Sequence, residues 1–151
     1  MVPCFALQLI LVVLAQTSAS ETGTCLLPNE QTRLKTEQKL DNRIKIYQTA
    51  STRCQSSFDY AAASADAASV PGILERWMRL LEISLQDIEA HADRRRKSKA
   101  LIRYEIHLRK ALSDLEDFKM KFPYEEMQQI SAWTTKADGI RRKFVDILFQ
   151  R

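Results

Sequence analysis

Glycine and proline are scarce in this 151-residue chain, which contains three glycines and four prolines. β-Sandwiches and doubly wound α/β folds need many turns marked by these residues, so the composition argues against both. Phosphate-cradling loops and dinucleotide fingerprints need several glycines close together, whereas Gly23, Gly72 and Gly139 are far apart. The shortage therefore predicts an all-α protein without a nucleotide-binding loop.

Residues suited to catalysis or metal binding are also few. The two histidines, His91 and His107, are not three or four positions apart, the spacing that helical metal sites use. Asp87 shares a helix face with His91, but two ligands make a weak site. The chain has no Gly-x-Ser-x-Gly elbow, and the adjacent carboxylates Glu125 and Glu126 diverge by about 100° on a helix. We therefore expect a protein that is not an enzyme and holds no metal or cofactor.

The first fifteen residues, MVPCFALQLILVVLA, contain no charged side chain. Small and polar residues follow up to Ser20, an arrangement typical of a secretory signal peptide. The apolar run is shorter than the ~20 residues that a membrane-spanning helix needs. We predict that residues 1–19 are a cleaved signal peptide, with cleavage after either Ala19 or Ala15. The protein is then secreted or periplasmic and has no transmembrane span.

Removal of Cys4 with the signal peptide leaves Cys25 and Cys54, and an oxidising compartment permits a disulfide between them. However, a continuous helix from Asn29 through Cys54 advances about 38 Å, whereas the tail from Cys25 reaches only about 14 Å. Disulfides require Cα atoms within about 7 Å of each other. The geometry therefore predicts that the two thiols do not pair. Cys54 is then a buried thiol, and Cys25 is a free thiol or an intermolecular link.

The prolines at 28, 71 and 123 each open a long stretch with helical periodicity, since proline is tolerated in the first turn of a helix. In the middle stretch, the apolar residues from Leu101 onward lie on a helix face rotated by over a hundred degrees from the face of the preceding apolar residues. Ile102 and Ile106 continue the preceding face, as expected where the contact regions of two partners overlap. We interpret this as one long helix that packs against two partners. The predicted core comprises Leu40, Ile44, Tyr47, Ser51, Cys54, Phe58, Ala61, Ala65, Leu74, Trp77, Met78, Leu81, Leu85, Ile88, Ala92, Leu101, Tyr104, Leu108, Leu112, Leu115, Phe118, Phe122, Met127, Ile130, Trp133, Ala137, Ile140, Phe144 and Ile147.

Short connections between long helices favour antiparallel neighbours. Residues 29–151 are therefore predicted to form an elongated antiparallel three-helix bundle with coiled-coil-like packing, preceded by a flexible tail at residues 20–28. A four-helix bundle is the alternative if the middle helix breaks near residues 93–99.

Positive charge is concentrated between residues 93 and 110, where the net charge of +6 exceeds the +4 of the whole chain. One interpretation is a solvated band on an exposed helix. The other is a docking segment for an anion such as phospholipid head groups, acidic polysaccharide or an acidic protein. Nucleic acid is disfavoured because the protein is predicted to be exported and Tyr104 is the one aromatic residue available for stacking. The candidate anion-binding residues are Arg94, Arg95, Arg96, Lys97, Lys99 and Arg103.

These observations predict a non-enzymatic, exported helical bundle that acts as an envelope-associated binding, adaptor or chaperone-like module. Its partner is then an unidentified protein or an anionic component of the envelope. The alternative is a structural protein that forms homo-oligomers through its long helices or through Cys25.

Overall fold

The structure, a computed structural model, describes residues 23–93 and 95–150. The predicted signal peptide and Arg94 lie outside these residues. The described part of the chain contains helices and no strand, which confirms the all-α class. The helices are α1 (Pro28–Thr36), α2 (Leu40–Ala63), α3 (Val70–His91), α4 (Lys99–Phe118) and α5 (Tyr124–Phe149), with short 3-10 turns at Ala67–Ser69 and Lys119–Lys121.

The predicted three-helix bundle is wrong in its helix count, because two of the three expected helices are broken. The middle helix ends at His91 and restarts at Lys99, within the region where a break would give the alternative four-helix bundle. Ser98 begins α4 as its N-cap, since its hydroxyl accepts a hydrogen bond from the backbone N–H of Leu101 at 3.0 Å. The apolar stripe therefore changes phase because a new helix starts there.

The first helix is broken at residues 37–39, which separate α1 from α2. Arg43 stabilises this turn, because its guanidinium donates to the carbonyl oxygens of Leu34 and Glu37 near the end of α1. Glu30 of α1 pairs with Arg53 of α2 at 2.7 Å. These contacts fold α1 back along α2.

The fold-back corrects the cysteine prediction. Cys25 and Cys54 form a disulfide, with Cα atoms 5.9 Å apart. The expectation that they do not pair is wrong because it assumed one continuous helix from Asn29 through Cys54. Cys25 is therefore neither a free thiol nor an intermolecular link, and the predicted flexible tail is attached to α2 at this residue.

Two antiparallel helix hairpins, α2–α3 and α4–α5, make up the bundle. Near the start of α2, Arg43 contacts Asp87 near the end of α3. Likewise Glu105 in the first half of α4 contacts Arg141 in the second half of α5. Each hairpin therefore follows the expected rule that short connections join antiparallel neighbours.

The two hairpins pack side by side through parallel helices, an arrangement that sequence spacing does not predict. α2 lies beside α4, and α3 lies beside α5, whereas α3 and α4 face each other diagonally across the core. The loop of residues 92–98 therefore crosses one end of the bundle. Contacts between α2 and α4 pair residues in the same order along both helices: Asp41 with Ser98, Ser51 with His107, and Gln55 with Asp114.

The core lies between the four long helices and contains most of the predicted seam residues. Leu40, Ala92, Leu112, Phe118, Met127 and Ile147 are only partly buried, and Ala65 is exposed. Trp77 of α3 and Trp133 of α5 meet at its centre, with ring centroids 4.6 Å apart. Both indole nitrogens are satisfied: Trp77 donates to Ser51 Oγ and Trp133 to the carbonyl of Leu74, each at 2.8 Å. These bonds remove the cost of burying an indole N–H without a partner.

Candidate functional site

The basic segment divides between the connecting loop and the first turns of α4. Arg95, Arg96 and Lys97 are exposed in the loop, and Lys99 and Arg103 are exposed on α4. Arg94, the sixth candidate, lies outside the described residues. None of the five described cations forms an ion pair with a carboxylate among residues 23–93 and 95–150. Their charges are therefore available to a partner.

The loop encloses a shallow pocket of about 350 Å³ with the start of α2. Lys39, Arg96 and Lys97 line it, but so do the carboxylates Asp41 and Asp93. Both acids hold the loop in place: Asp41 accepts from the Ser98 hydroxyl at 2.6 Å, and Asp93 accepts from the Arg95 backbone N–H at 2.9 Å. Because two fixed carboxylates lie in the pocket, it is poorly suited to enclose a small anion.

Lys97 has a second role at this end of the bundle. Its ammonium group lies 5.0 Å from the ring centroid of Phe149, the last residue of α5. A cation over the face of an aromatic ring gains a modest electrostatic attraction. The contact joins the loop to the end of α5 and keeps the lysine at the surface.

Positive charge continues from the loop along the side of α4 that faces away from the core. We call this surface the α4 outer face; it consists of Lys99, Ile102, Arg103, Ile106, Arg109 and Lys110, all of which are exposed. Spacings of three and four residues place them on one side of the helix. The basic site is therefore an open surface that extends from the loop over the first three turns of α4.

The two isoleucines of this face correct a further expectation. Ile102 and Ile106 were predicted to contact a bundle partner, because they continue the apolar phase of the preceding stretch. That prediction is wrong because α4 is a separate helix that begins after the loop, and both side chains face outward.

A serine and a histidine meet within the bundle, a pair that sequence spacing does not reveal. His107 Nε2 lies 3.0 Å from Ser51 Oγ, the same oxygen that accepts from Trp77. Ser51 is fully buried, and no carboxylate among the described residues hydrogen-bonds to His107. Burial and the nearby charge of Lys110 lower the pKa of His107, so its ring is neutral at pH 7. A serine without access to solvent cannot attack a substrate, so this arrangement satisfies polar groups in the core.

A second polar cluster joins α2 to α3. Asp87 accepts two hydrogen bonds from the Arg43 guanidinium, at 2.9 and 2.7 Å, and one from the Tyr47 hydroxyl at 2.7 Å. Burial raises the pKa of Asp87, but these hydrogen bonds and the charge of Arg43 outweigh it, so the pKa lies below its ordinary value. His91, the expected face-sharing neighbour of Asp87, lies 3.2 Å from its carboxylate. The cluster stabilises the hairpin and leaves Asp87 fully engaged.

No group of three or more potential metal-ligating side chains occurs in the described part of the chain. Within the same residues, no helix is both long enough and apolar enough to cross a membrane. Comparisons with protein-family models, curated proteins and solved structures find no match for this chain. The fold and site define its class: a disulfide-linked bundle of four long helices with an open basic surface at one end.

Proposed function

We propose that the protein is an exported, non-enzymatic binding module that docks on an anionic component of the cell envelope through its basic end. One observation carries this proposal: five exposed cations, Arg95, Arg96, Lys97, Lys99 and Arg103, are clustered without an ion pair among the described residues. Among the other described cations, Arg43, Arg53 and Arg141 pair with acids. Arg33, Arg76 and Lys121 form no ion pair among the described residues either, but they are far apart in the chain.

The shape of the site favours an extended partner over a small ligand. The pocket beneath the loop contains Asp41 and Asp93, which repel a small anion that enters it. The cations instead project from an open loop and along a helix, where a large anionic surface can contact several of them together.

Export is supported by the predicted signal peptide and by the disulfide, because disulfides persist in oxidising compartments. Intact mass of the protein purified from its own cells tests this part of the proposal. The expected mature chain begins at Gln16 or Ser20. A cytosolic species that retains Met1 would contradict export.

Salt-dependent retention on immobilised dextran sulfate tests anion docking. The Arg95→Gln/Arg96→Gln/Lys97→Gln variant should elute at lower salt than the wild type, because screened electrostatic contacts are lost. The matched control changes three exposed cations elsewhere: Arg33→Gln/Arg76→Gln/Lys121→Gln.

Both variants lose the same net charge, so a difference in elution between them depends on where the substituted cations lie. The control should elute close to the wild type, and both variants should melt close to the wild-type temperature since all six side chains are exposed. Equal shifts in the two variants would mean that net charge alone causes retention. The solvated-band interpretation would then replace the docking proposal.

A further inference from the structure

The α4 outer face combines exposed isoleucines with cations. Ile102 is 38% exposed and Ile106 is 47% exposed, and they lie one helical turn apart. The two side chains form an apolar ridge on the side of α4 opposite the buried Leu101, Tyr104 and Leu108. The two side chains therefore give this side of α4 a small apolar surface.

Positive charges surround this ridge. Lys99, Arg103 and Lys110 lie on the same side of the helix, at spacings of three and four residues from Ile102 or Ile106. The only acid between Lys99 and Lys110 is Glu105, which turns toward α5 and pairs with Arg141 at 2.7 Å. An apolar ridge with a cationic rim is the pattern of interfacial membrane-binding helices.

We propose that the α4 outer face docks on an anionic phospholipid bilayer. Lys99, Arg103 and Lys110 contact head-group phosphates, while Ile102 and Ile106 enter the boundary between the head groups and the acyl chains. This inference rests on the proposed function, since it identifies the anionic partner as lipid. The basic loop extends the same electrostatic contact at the end of α4.

The isoleucines distinguish lipid from the other possible occupants. Acidic polysaccharides offer charge but no apolar layer, so exposed aliphatic side chains gain nothing from them. A second copy of the chain would bring two cationic rims together around the ridge, and like charges repel. A bilayer surface supplies the phosphates and the apolar layer at adjacent depths.

Vesicle co-sedimentation tests the inference. We compare vesicles of pure phosphatidylcholine with vesicles of phosphatidylcholine and phosphatidylglycerol, and use soluble dextran sulfate as an anion without an apolar layer. The test variant is Ile102→Gln/Ile106→Gln. The matched control is Ile83→Gln on α3, because Ile83 is 41% exposed, between the other two values.

The wild type should bind phosphatidylglycerol vesicles and not pure phosphatidylcholine vesicles. The double variant should bind the anionic vesicles about tenfold more weakly, because burial of the exposed parts of two isoleucines is lost. Its affinity for dextran sulfate should be unchanged. Ile83→Gln should match the wild type in both assays, and Ile106→Gln alone replaces the double variant if the latter does not fold.

Three outcomes would overturn the inference. If the double variant binds anionic vesicles as well as the wild type, the charges act alone and no insertion occurs. If Ile83→Gln weakens binding equally, the effect is not specific to this face. If the wild type binds dextran sulfate but no vesicle, the partner is a soluble or polymeric anion and the proposed function stands. Binding to neither ligand would instead reject the proposed function itself.

Discussion

Reduction of the Cys25–Cys54 disulfide should lower the free energy of unfolding by about 3–4 kcal/mol. The two cysteines are 29 positions apart, and a cross-link that closes a loop of this size restricts the unfolded chain by about that amount. The folded state should lose little, because α1 keeps other attachments. Leu34 remains buried, and Glu30 remains paired with Arg53.

Urea unfolding monitored by far-UV circular dichroism measures this effect on oxidised and reduced wild-type protein. The reduced protein keeps every side chain, so the comparison isolates the cross-link. The Cys25→Ser/Cys54→Ala variant is the control, and a reducing agent should not change its unfolding curve. A loss of this size is a large part of the typical total of about 5–15 kcal/mol.

Three results would refute this reasoning. Intact mass of the unreduced mature protein could show two free thiols, which would mean that α1 does not fold back on α2 in solution. Alternatively, oxidised and reduced protein could unfold at the same urea concentration. Finally, a disulfide-linked dimer that is absent from the Cys25→Ser variant would mean that Cys25 forms an intermolecular link, as the sequence predicted.

Three further predictions concern the core and the helix surface. Asp87→Asn should cost about 3 kcal/mol, because it leaves the largely buried charge of Arg43 without its partner. Wild-type stability should be fully present above the ordinary aspartate pKa and fall as the pH drops through the lowered pKa of Asp87, whereas urea unfolding of the variant should show less of this loss. Trp77→Ala should cost about 3–5 kcal/mol by the same assay, since this indole is fully buried; a loss below 1 kcal/mol would contradict its place in the core. Gly139→Ala should raise stability by about 0.5–1 kcal/mol, because a Cβ there meets open space on a helix; a lower melting temperature would contradict this.

The apolar seams were predictable because helix periodicity alone determines which side chains share a face. Trp77, Phe144 and most of their neighbours along each stripe are buried as expected, and most of the exceptions, such as Ala65 and Met127, lie near helix ends. The helix starts near Pro28, Pro71 and Pro123 were predictable for a similarly local reason, since proline is tolerated in the first turn of a helix but not in its interior. α1 starts at Pro28, α3 at Val70 and α5 at Tyr124.

The two helix breaks were harder to predict, because no glycine or proline marks them. The break at residues 37–39 depends on tertiary contacts: Arg43 binds the last carbonyls of α1, and the disulfide attaches the chain on the other side. The break before α4 did have a local signal. Ser98 is a favourable N-cap directly before an apolar periodic run, and the phase change beside it marks a new helix.

The polar contacts inside the bundle depended on helix order, which the sequence pattern leaves open. Ser51 was correctly placed on a buried seam, yet its meeting with His107 requires α2 and α4 to be parallel neighbours. The sequence was sufficient to predict which segment carries the positive charge of the site, but not which surface of the bundle the site covers. Its extent over α4, including Ile102 and Ile106, depends on where the helix starts and which side faces the core.

The diagonal placement of α3 and α4 has a consequence for how the chain folds. Within each hairpin, partners are joined by a short turn, so their contacts form with little loop-closure entropy. Contacts between hairpins join distant residues, such as Gln55 and Asp114, which are 59 positions apart. Residues 92–98 then act as the hinge between two preformed modules. The length of this connection determines whether the α4–α5 hairpin packs against the α2–α3 hairpin of the same chain or against that of a second chain. The second arrangement is a domain-swapped dimer.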